Sequence, residues 1–376
     1  MKEVKVRVLI DLTNLSAANH GGVPTFAKGI VKGFLEAENT EVSILQKSDF
    51  KFLENYTVDK ILVANKFTNI ISRRFLLLFV FLNQKKLYAW FKNLEIKGVI
   101  KVDSFDYIYT PTTYLNYRID HTPTLVSLHD IQEKDFPENF SFFERIYRNF
   151  FVSFTLQNST KIHVSSNFVK DSLLKHYSYL KKKVEYSVVG EGVDLKYFEN
   201  VLPKERIFLF PARSWKHKNH QVFFNALKDL IEIHDFRFII TGASVSDFDN
   251  LGIQVPKQVQ VAGLLDLPDL KDIYTKAYCV ISCSFYESSS LPLLEGVASG
   301  CRIIASNIPA HLEMASDFRF SLFNPESPKE LLEVIKNMIS DYKTENWKSE
   351  TVRNIESLRS RDWSLIAKAL LVSLES

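Results

Sequence analysis

The chain has 376 residues, which is long for a single hydrophobic core and predicts two domains of ordinary size. A hydrophobic content of 46% and a charged content of 24% are those of a soluble globular protein. The formal net charge of +3 is too small to indicate nucleic acid as a partner. No apolar run approaches the ~20 residues that span a bilayer.

The three cysteines, Cys279, Cys283 and Cys301, form no CxxC pair, and the N-terminus lacks the pattern of a signal peptide. We therefore expect reduced thiols in the core of a cytoplasmic protein. The sequence shows no repeat at a fixed period and no low-complexity tract.

The chain opens with an apolar strand over 4–10 that ends at Asp11, followed by a small, polar loop over 16–22 and an amphipathic helix over 24–35. Gly21 and Gly22 in this loop would let backbone amides approach a phosphate or a sugar with no Cβ in the way. The alternative is a plain glycine turn before a helix, since the GxGxxG spacing of a dinucleotide fold is absent.

Residues 66–97 combine an apolar run over 75–82 with many cations, and Glu95 is the only acid among them. The flanking cations are Arg73, Arg74, Lys85, Lys86, Lys92 and Lys97. Two interpretations stay open. The segment is either a buried core helix with solvated basic ends, or an interfacial helix whose apolar face sits among anionic lipid headgroups.

A strand predicted over 124–128 ends at His129-Asp130. A histidine directly after a buried strand points into the cleft at the strand ends, unless it is a satisfied structural histidine. A strand over 184–189 runs into 190–194, and the pattern then loses its periodicity over 195–205. We place a domain boundary within this stretch, which also carries Pro203.

The second half of the chain also alternates between predicted strands and helices. Strands are predicted at 207–210, 236–240, 259–261 and 278–282, and helices at 219–233 and 267–276, with a further helix that begins at a capping box of Ser327 and Glu330. Alternation in both halves predicts two doubly wound α/β domains with parallel sheets, and a ligand between them outside the carboxyl ends of the strands.

Residues 284–307 read as a strand end, a loop, a helix and another strand. Glu287 lies on the loop, and Glu295 lies on the helix that begins near Leu291. Two carboxylates beside a helix N-terminus, which attracts anions, suit a ligand that carries both phosphates and hydroxyls. For this stretch alone, an ordinary helix with two exposed glutamates is the alternative.

Arg213 follows a predicted strand and Lys218 precedes a predicted helix, so both cations belong at the same strand-end cleft as Glu287. A leaving diphosphate gains negative charge as its bond to carbon breaks, and such cations would stabilise it without a metal. A basic surface loop is the alternative, but the combination with two carboxylates favours a binding site.

Together these residues resemble a known family. Arg213 and Lys218, followed by the E-x7-E pair Glu287 and Glu295, are similar to the retaining GT-B glycosyltransferases of the group 1 type (glycosyltransferase family 4). The resemblance covers nearly the whole chain through Gly21-Gly22, His129-Asp130, VSSNFVKD at 164–171, GEGVD at 190–194, Ser306-Asn307, FNPES at 323–327 and RDW at 361–363.

The resemblance implies a GT-B fold, which is two Rossmann-like domains facing a central cleft. Residues 1–195 would bind the acceptor and residues 206–360 would bind the nucleotide sugar. The amphipathic helix within residues 361–376 could dock on either domain, which includes crossing back to the first. Retaining enzymes of this type are thought to let the departing phosphate take the acceptor proton on the same face. Neither a nucleophile nor a metal is then expected.

It also implies a role for each matching residue. Arg213 and Lys218 would hold the donor diphosphate, Glu295 the ribose hydroxyls and Glu287 the transferred sugar. The remaining contacts would be Gly22 with the donor, His129 with the sugar near the reacting carbon, the Ser290 and Leu291 amides with phosphate or sugar, and Gly263 and Leu264 with the base. The catalytic set would be Glu287, His129, Arg213 and Lys218.

The implied reaction moves a hexose or deoxyhexose from a nucleotide-diphosphate sugar to a glycan or polyprenyl-linked acceptor, in bacterial O-antigen or capsule synthesis. The expected location is the cytoplasm, and the interfacial interpretation of residues 66–97 would place the protein on the inner face of the cytoplasmic membrane. The WKHKNH loop at 215–220 is similar to members that transfer mannose or rhamnose. Ser288-Ser289-Ser290 replaces the usual glycine-rich turn, and Pro309 stands where a glycine is frequent, which leaves the donor sugar open.

Three other interpretations stay open. Asp247 and Asp249 form a DxD sequence, the metal–diphosphate motif of GT-A transferases, although we interpret it as an acidic loop. A sugar-nucleotide epimerase would use a similar fold without an acceptor. A catalytically idle binding protein is the third, and the intact set of Arg213, Lys218, Glu287 and Glu295 argues against it.

Overall fold

The computed structural model describes residues 5–15, 21–47, 50, 53–63, 70–101, 104–178, 184–195, 203–228, 230, 235–345 and 347–375. The chain divides into two compact units. The first unit contains Met1–Gly192 and Trp363–Ser376, and the second contains Val193–Asp362. Within the second unit, Val193 pairs with Asp362 as an isolated parallel bridge, so the GEGVD and RDW segments run side by side.

The first unit is built on a parallel sheet of seven strands in the order β3-β2-β1-β4-β5-β6-β7. The strands are β1 (Val6–Asp11), β2 (Thr40–Gln46), β3 (Asp59–Leu62), β4 (Tyr107–Thr110), β5 (Thr124–Ser127), β6 (Lys161–Val164) and β7 (Glu185–Val188). The strand order reverses between β1 and β4, which is where ligands bind in open sheets of this kind.

Among the described residues, six α-helices lie between these strands and a seventh follows the second unit. They are α1 (Gly22–Glu36), α2 (Ile70–Phe81), α3 (Lys85–Asn93), α4 (Gln132–Asp135), α5 (Phe142–Asn158) and α6 (Asn167–His176), and the helix that returns is α14 (Trp363–Glu375). Ser141 and Glu144 form a capping box at the start of α5, and Ser166 caps α6. Aromatic residues of α5, including Phe150 and Phe154, are buried in the core.

Helix α14 packs directly on α1, and two glycines make this close approach possible. A Cβ atom built on Gly33 would lie 2.2 Å from the carbonyl oxygen of Trp363, and one on Gly29 would lie 2.1 Å from the Trp363 indole. The Trp363 ring also meets Phe26 of α1 edge to face, with centroids 5.5 Å apart. The C-terminal helix is therefore part of the first unit.

The second unit has a parallel sheet of six strands in the order β10-β9-β8-β11-β12-β13. The strands are β8 (Glu205–Pro211), β9 (Arg237–Thr241), β10 (Val259–Val261), β11 (Ala277–Ser282), β12 (Arg302–Ser306) and β13 (Ser321–Phe323). The helices are α7 (His220–Lys228), α8 (Val245–Asn250), α9 (Leu267–Lys276), α10 (Leu291–Ala298), α11 (Pro309–Met314), α12 (Pro328–Tyr342) and α13 (Trp347–Ser357).

The predicted class of two parallel-sheet α/β units is confirmed, while some local predictions were wrong. Ser327 accepts a hydrogen bond from the Glu330 N–H, but the Glu330 carboxylate accepts from Asn324 N–H, so the reciprocal capping box is absent there. Part of the helix predicted over 219–233 (residues 229 and 231–234) lies outside the described residues, as do most of the loop over 16–22 and the segments 64–69 and 196–202.

None of the helices that the structure describes combines the length and the apolar character of a bilayer-spanning segment.

Candidate active site

The carboxyl ends of the strands in the second unit carry the predicted basic and acidic residues. Because all six strands run parallel, these ends meet at one edge of the sheet. Three of the strand ends are joined by backbone contacts around Gly242, which has a left-handed φ of 88°. Its N–H donates to the Gly263 carbonyl at 2.7 Å, and a Cβ there would lie 3.2 Å from Ala212. Arg213, next to Ala212, and Gly263 therefore lie at adjoining strand ends.

Lys218 and Glu287 form the central pair of the site. The Lys218 Nζ donates to Glu287 Oε1 at 2.6 Å, and the Ser284 hydroxyl donates to the same oxygen at 2.5 Å. Burial alone would raise the pKa of Glu287, but the Lys218 ammonium and the hydrogen bonds from Lys218 and Ser284 hold that pKa below its ordinary value. Glu287 is therefore a charged carboxylate whose cation lies 69 positions earlier in the chain.

The loop that carries Lys218 is fastened to the loop that carries Glu287. Lys218 ends a short 3₁₀ turn, and Asn219 then adopts a left-handed φ of 55°. The Asn219 amide donates to the carbonyls of Cys283 and Pro325, at 3.2 and 2.8 Å, and the Phe285 N–H donates to the His217 carbonyl at 2.8 Å. The FNPES segment thus positions the basic loop through its backbone.

Glu295 lies half-buried on α10, eight positions after Glu287 in the chain. Burial raises the pKa of Glu295 to about 7, although a hydrogen bond with the Tyr274 hydroxyl acts to lower it. The Tyr274 hydrogen bond offsets only part of the effect of burial on Glu295. A ligand that donates further hydrogen bonds would therefore favour the carboxylate form of Glu295. Vicinal hydroxyl groups of a sugar have this property.

The start of α10 presents one clear backbone donor. Ser290 is the N-cap residue, and its side chain makes no capping hydrogen bond. Pro292 has no N–H, and the N–H of Leu293 donates to the Ser290 carbonyl at 3.0 Å. The Leu291 amide, at the positive end of the helix, therefore suits an anion or a sugar oxygen.

His311 is a member of the site that the sequence analysis missed. Its side chain is fully buried, and Nδ1 lies 2.9 Å from the Ser306 carbonyl, so Nδ1 carries the proton. The Ser306 hydroxyl donates in turn to the Ser284 carbonyl at 2.6 Å, beside Glu287. Nε2 of His311 is buried without a hydrogen-bond partner among the described residues. A histidine two residues after Pro309 carries no motif, so only the structure places it here.

Leu264 follows Gly263 and is 60% exposed, so its side chain is open to a ligand. The left-handed φ of 76° at Gly263 turns the chain after β10.

The first unit brings two further predicted residues to one end of its sheet. His129 follows β5, and its Nε2 donates to the Pro111 carbonyl at 3.0 Å, which leaves Nδ1 as the acceptor. Burial lowers the pKa of His129, so the ring is neutral near pH 7. Its ring meets Phe26 of α1 edge to face at 4.8 Å. Gly22 begins α1 one turn earlier, and a Cβ there would meet nothing within 4 Å.

The DxD sequence has a local structural role. Asp247 is the third residue of α8, where its Oδ2 accepts from the Ser244 N–H and hydroxyl, both at 2.7 Å, in a capping box. The expectation of an irregular acidic loop was wrong, because both aspartates lie in a helix. Within the described part of the chain, no group of three or more His, Cys, Asp or Glu side chains is placed to hold a metal ion.

Comparison with known proteins gives a match over most of the second unit. The family model for Glycosyl transferases group 1 matches residues 194–354, which contain both basic residues, both glutamates and His311. Residues 194–354 are a group 1 glycosyl transferase domain. The predicted family is thereby confirmed for residues 194–354, and the predicted GT-B fold is confirmed by the solved structures described below.

A curated relative, the O-antigen chain mannosyltransferase RfbU of Salmonella typhimurium, is 27% identical over 217 residues, which are 57% of this chain and 60% of that protein. The chain spans 60% and 47% of the lengths of the two curated relatives it matches.

Two solved structures resemble the chain over nearly its whole length. Sucrose-phosphate synthase from Thermosynechococcus elongatus has a TM-score of 0.72 at 17% identity, covering 99% of this chain and 98% of that chain. HepE from Anabaena, in complex with UDP and glucose, has a TM-score of 0.69 at 15% identity, covering 99% and 100%. At these identities the likeness concerns the fold.

Proposed function

We propose that this protein is a retaining glycosyltransferase that moves a hexose or deoxyhexose from a nucleotide-diphosphate sugar to a glycan or polyprenyl-linked acceptor. The observation that carries the proposal is the Lys218–Glu287 pair at 2.6 Å, at the strand ends of a group 1 domain. A paired cation and carboxylate suit the two parts of such a donor, since ammonium binds phosphate and carboxylate accepts from sugar hydroxyls.

In this proposal Lys218 and Arg213 stabilise the charge that develops on the leaving diphosphate. As the bond between the anomeric carbon and the phosphate oxygen breaks, the acceptor oxygen bonds to the same carbon. The acceptor proton then passes to the departing phosphate. Fixed cations in a partly buried site stabilise this charge more than mobile water would.

Glu295 is proposed to accept from the ribose hydroxyls, and the Leu291 amide to meet phosphate or sugar. The raised pKa of Glu295, to about 7, fits a carboxylate whose missing donors come from the substrate. Gly263 and the exposed Leu264 are proposed to meet the base.

For the transferred sugar we propose mannose, or a deoxyhexose such as rhamnose, in the synthesis of a bacterial surface polysaccharide. Support comes from the WKHKNH loop and from the 27% identity to a protein named as an O-antigen chain mannosyltransferase. We place the activity in the cytoplasm, where the buried free thiols of Cys279, Cys283 and Cys301 stay reduced.

The first experiment is a thermal-shift screen with UDP-, GDP-, ADP- and dTDP-sugars, because a ligand that binds only the native state raises its apparent stability. The identified donor is then used to assay transfer by wild type and by a Lys218→Ala/Glu295→Ala variant. Lys216 is an exposed residue two positions before Lys218, and the variant Lys216→Ala is the matched control. Undiminished transfer by the double variant would refute the site.

Two further assays separate the alternatives. Loss of transfer in EDTA with recovery in manganese would contradict the proposed metal independence. Conversion of the donor into an isomeric nucleotide sugar without any acceptor would identify an epimerase instead.

A further inference from the structure

Helices α2 and α3 of the first unit expose large apolar side chains on their outer face. Phe75 is 51% exposed, Leu78 47%, Phe81 45% and Trp90 65%. Such side chains rarely cluster on the free surface of a folded protein unless something covers them.

The opposite side of the same helices is already packed in the core. Val80 and Tyr88 are buried, and the Tyr88 ring meets Phe150 and Phe154 of α5 edge to face at 5.5 and 5.3 Å. The exposed residues are therefore not the core side of these helices, and the first unit needs a second contact to cover them.

The exposed surface continues beyond the segment 66–97 onto the start of α5. Phe143 is 66% exposed, and its ring meets Phe81 at right angles, with centroids 5.8 Å apart. Phe142, 63% exposed, lies 5.8 Å from Phe143. We call Phe75, Leu78, Phe81, Trp90, Phe142 and Phe143 the apolar face.

All charged side chains of α2 and α3, the helices that carry most of the apolar face, are positive. The sequence holds no Asp or Glu between Asp59 and Glu95, whereas Arg74 and Lys86 are exposed and Lys85 is half-buried. The side chain of Arg73 lies outside the described residues.

Lys92 does not belong to this charged rim, contrary to the sequence-based interfacial interpretation. It is buried, and its Nζ donates to Glu95 Oε2 at 2.6 Å. Glu95 also receives a hydrogen bond from the Tyr117 hydroxyl at 2.8 Å, and Lys47 lies 3.4 Å away. This buried cluster holds the end of α3 against the sheet, so Lys92 has a structural role.

We propose that the apolar face docks on an anionic lipid bilayer, with Phe142, Phe143 and Trp90 at the level of the acyl chains and with Arg74, Lys85 and Lys86 among the headgroups. Aromatic side chains favour this depth, and each cation near an anionic surface adds to the attraction. A second copy of the chain is a poorer occupant, because it would place cations against cations with no acid of α2 or α3 between them.

This inference rests on the proposed function, because a polyprenyl-linked acceptor lies in a bilayer. Binding to the bilayer can nevertheless be measured without any catalysis. The test is flotation of the full chain with vesicles of phosphatidylcholine alone or with about 30% phosphatidylglycerol. The variants are Phe142→Ser/Phe143→Ser and Arg74→Glu/Lys86→Glu. Their matched controls, at exposed positions of the second unit, are Leu251→Ser/Val352→Ser and Lys329→Glu/Lys336→Glu.

We expect wild type and both controls to float with anionic vesicles, and each of the two variants to lose binding by about fivefold or more. Brominated lipids should quench Trp90 in a Trp215→Phe background, which removes the other exposed tryptophan among the described residues. Transfer to a water-soluble acceptor should stay at the wild-type level in both variants, so loss of docking and loss of the enzyme are distinguishable.

The proposal is overturned if wild type stays unbound to anionic vesicles, or if both variants bind as wild type does. It is also overturned if wild type is a dimer in solution that Phe142→Ser/Phe143→Ser converts to monomers, since a second copy would then cover the face.

Discussion

Lys218 Nζ and Glu287 Oε1 lie 2.6 Å apart, with only 16% and 12% of the two side chains exposed. Removing one partner of such a pair leaves the other charge poorly solvated. We predict that Lys218→Met lowers the free energy of unfolding by about 1–3 kcal/mol, and that Lys218→Met/Glu287→Gln recovers part of that loss. Urea unfolding of the wild type and the two variants measures the loss and the recovery.

Transfer should fall by about 100-fold or more in Lys218→Met and in the double variant alike, because the diphosphate loses one of its two cations. Lys216→Met should leave stability and transfer unchanged, since Lys216 is exposed. A double variant less stable than Lys218→Met would contradict the coupling between the two residues.

The second prediction concerns Glu295 and pH. Because its pKa rises from 4.5 to about 7, the folded protein keeps a proton that the unfolded chain releases, so stability falls as pH rises across this interval. Glu295→Gln removes this loss and should stabilise the ligand-free protein at pH 8 by about 1–2 kcal/mol, with little gain at pH 4.5. Urea unfolding at the two pH values checks it.

The same substitution should weaken donor binding by about 10–100-fold, because an amide replaces a charged acceptor. Wild-type affinity should rise between pH 6 and pH 8 as the carboxylate forms, whereas the affinity of Glu295→Gln should stay flat. Equal pH dependence in the two proteins would exclude Glu295 as the titrating group.

The third prediction concerns His311, whose pKa burial lowers below 6.5. The folded protein therefore resists protonation at this ring, and stability should fall as pH drops below about 6.5. His311→Asn keeps a donor near the Ser306 carbonyl but cannot titrate, so its stability should change less between pH 7 and pH 5. His311→Ala should be less stable than His311→Asn by about 1 kcal/mol. Chemical unfolding of the three proteins at both pH values decides.

The fourth prediction separates function from stability at Gly22. A Cβ there meets nothing within 4 Å, so Gly22→Ala should fold and gain up to about 1 kcal/mol in helix stability. If the donor approaches this backbone closely, transfer should fall by about tenfold or more while stability holds. Unchanged transfer would remove Gly22 from the donor contacts.

Gly33 of the same helix should behave in the opposite way. A Cβ there lies 2.2 Å from the backbone of Trp363, which no rotation of a side chain can relieve. We expect Gly33→Ala to destabilise the first unit by about 1–3 kcal/mol and to loosen α14. Hydrogen exchange of α1 and α14 measures this, with Gly22→Ala as the matched control. Equal protection of α14 in both variants would contradict the close packing.

Local sequence patterns predicted most of the strands, because apolar runs that end in polar residues are visible in a short window. They also placed Arg213, Lys218, Glu287 and Glu295 beyond strands or on helices, as the structure has them. The resemblance to group 1 enzymes added the family and the fold. The chemical roles of these residues stay predictions.

Contacts between distant parts of the chain were beyond such patterns. The Lys92–Glu95 cluster, the position of Phe143 beside Phe81 and the polar chain from His311 to Ser284 each depend on how elements pack. The Asp247 prediction was wrong because a capping serine three residues earlier turned an acidic loop into a helix start.

The return of α14 to α1 means that the second unit is inserted within the chain of the first. During synthesis on the ribosome, residues 193–362 are complete before Trp363 exists, so the face of α1 that carries Gly29 and Gly33 stays bare in the nascent chain. The unit that starts first is thus finished last. A stalled or cleaved chain that lacks α14 would expose the face of α1 that α14 covers in the complete protein. Chaperones and proteases would then recognise the incomplete chain by this exposed face.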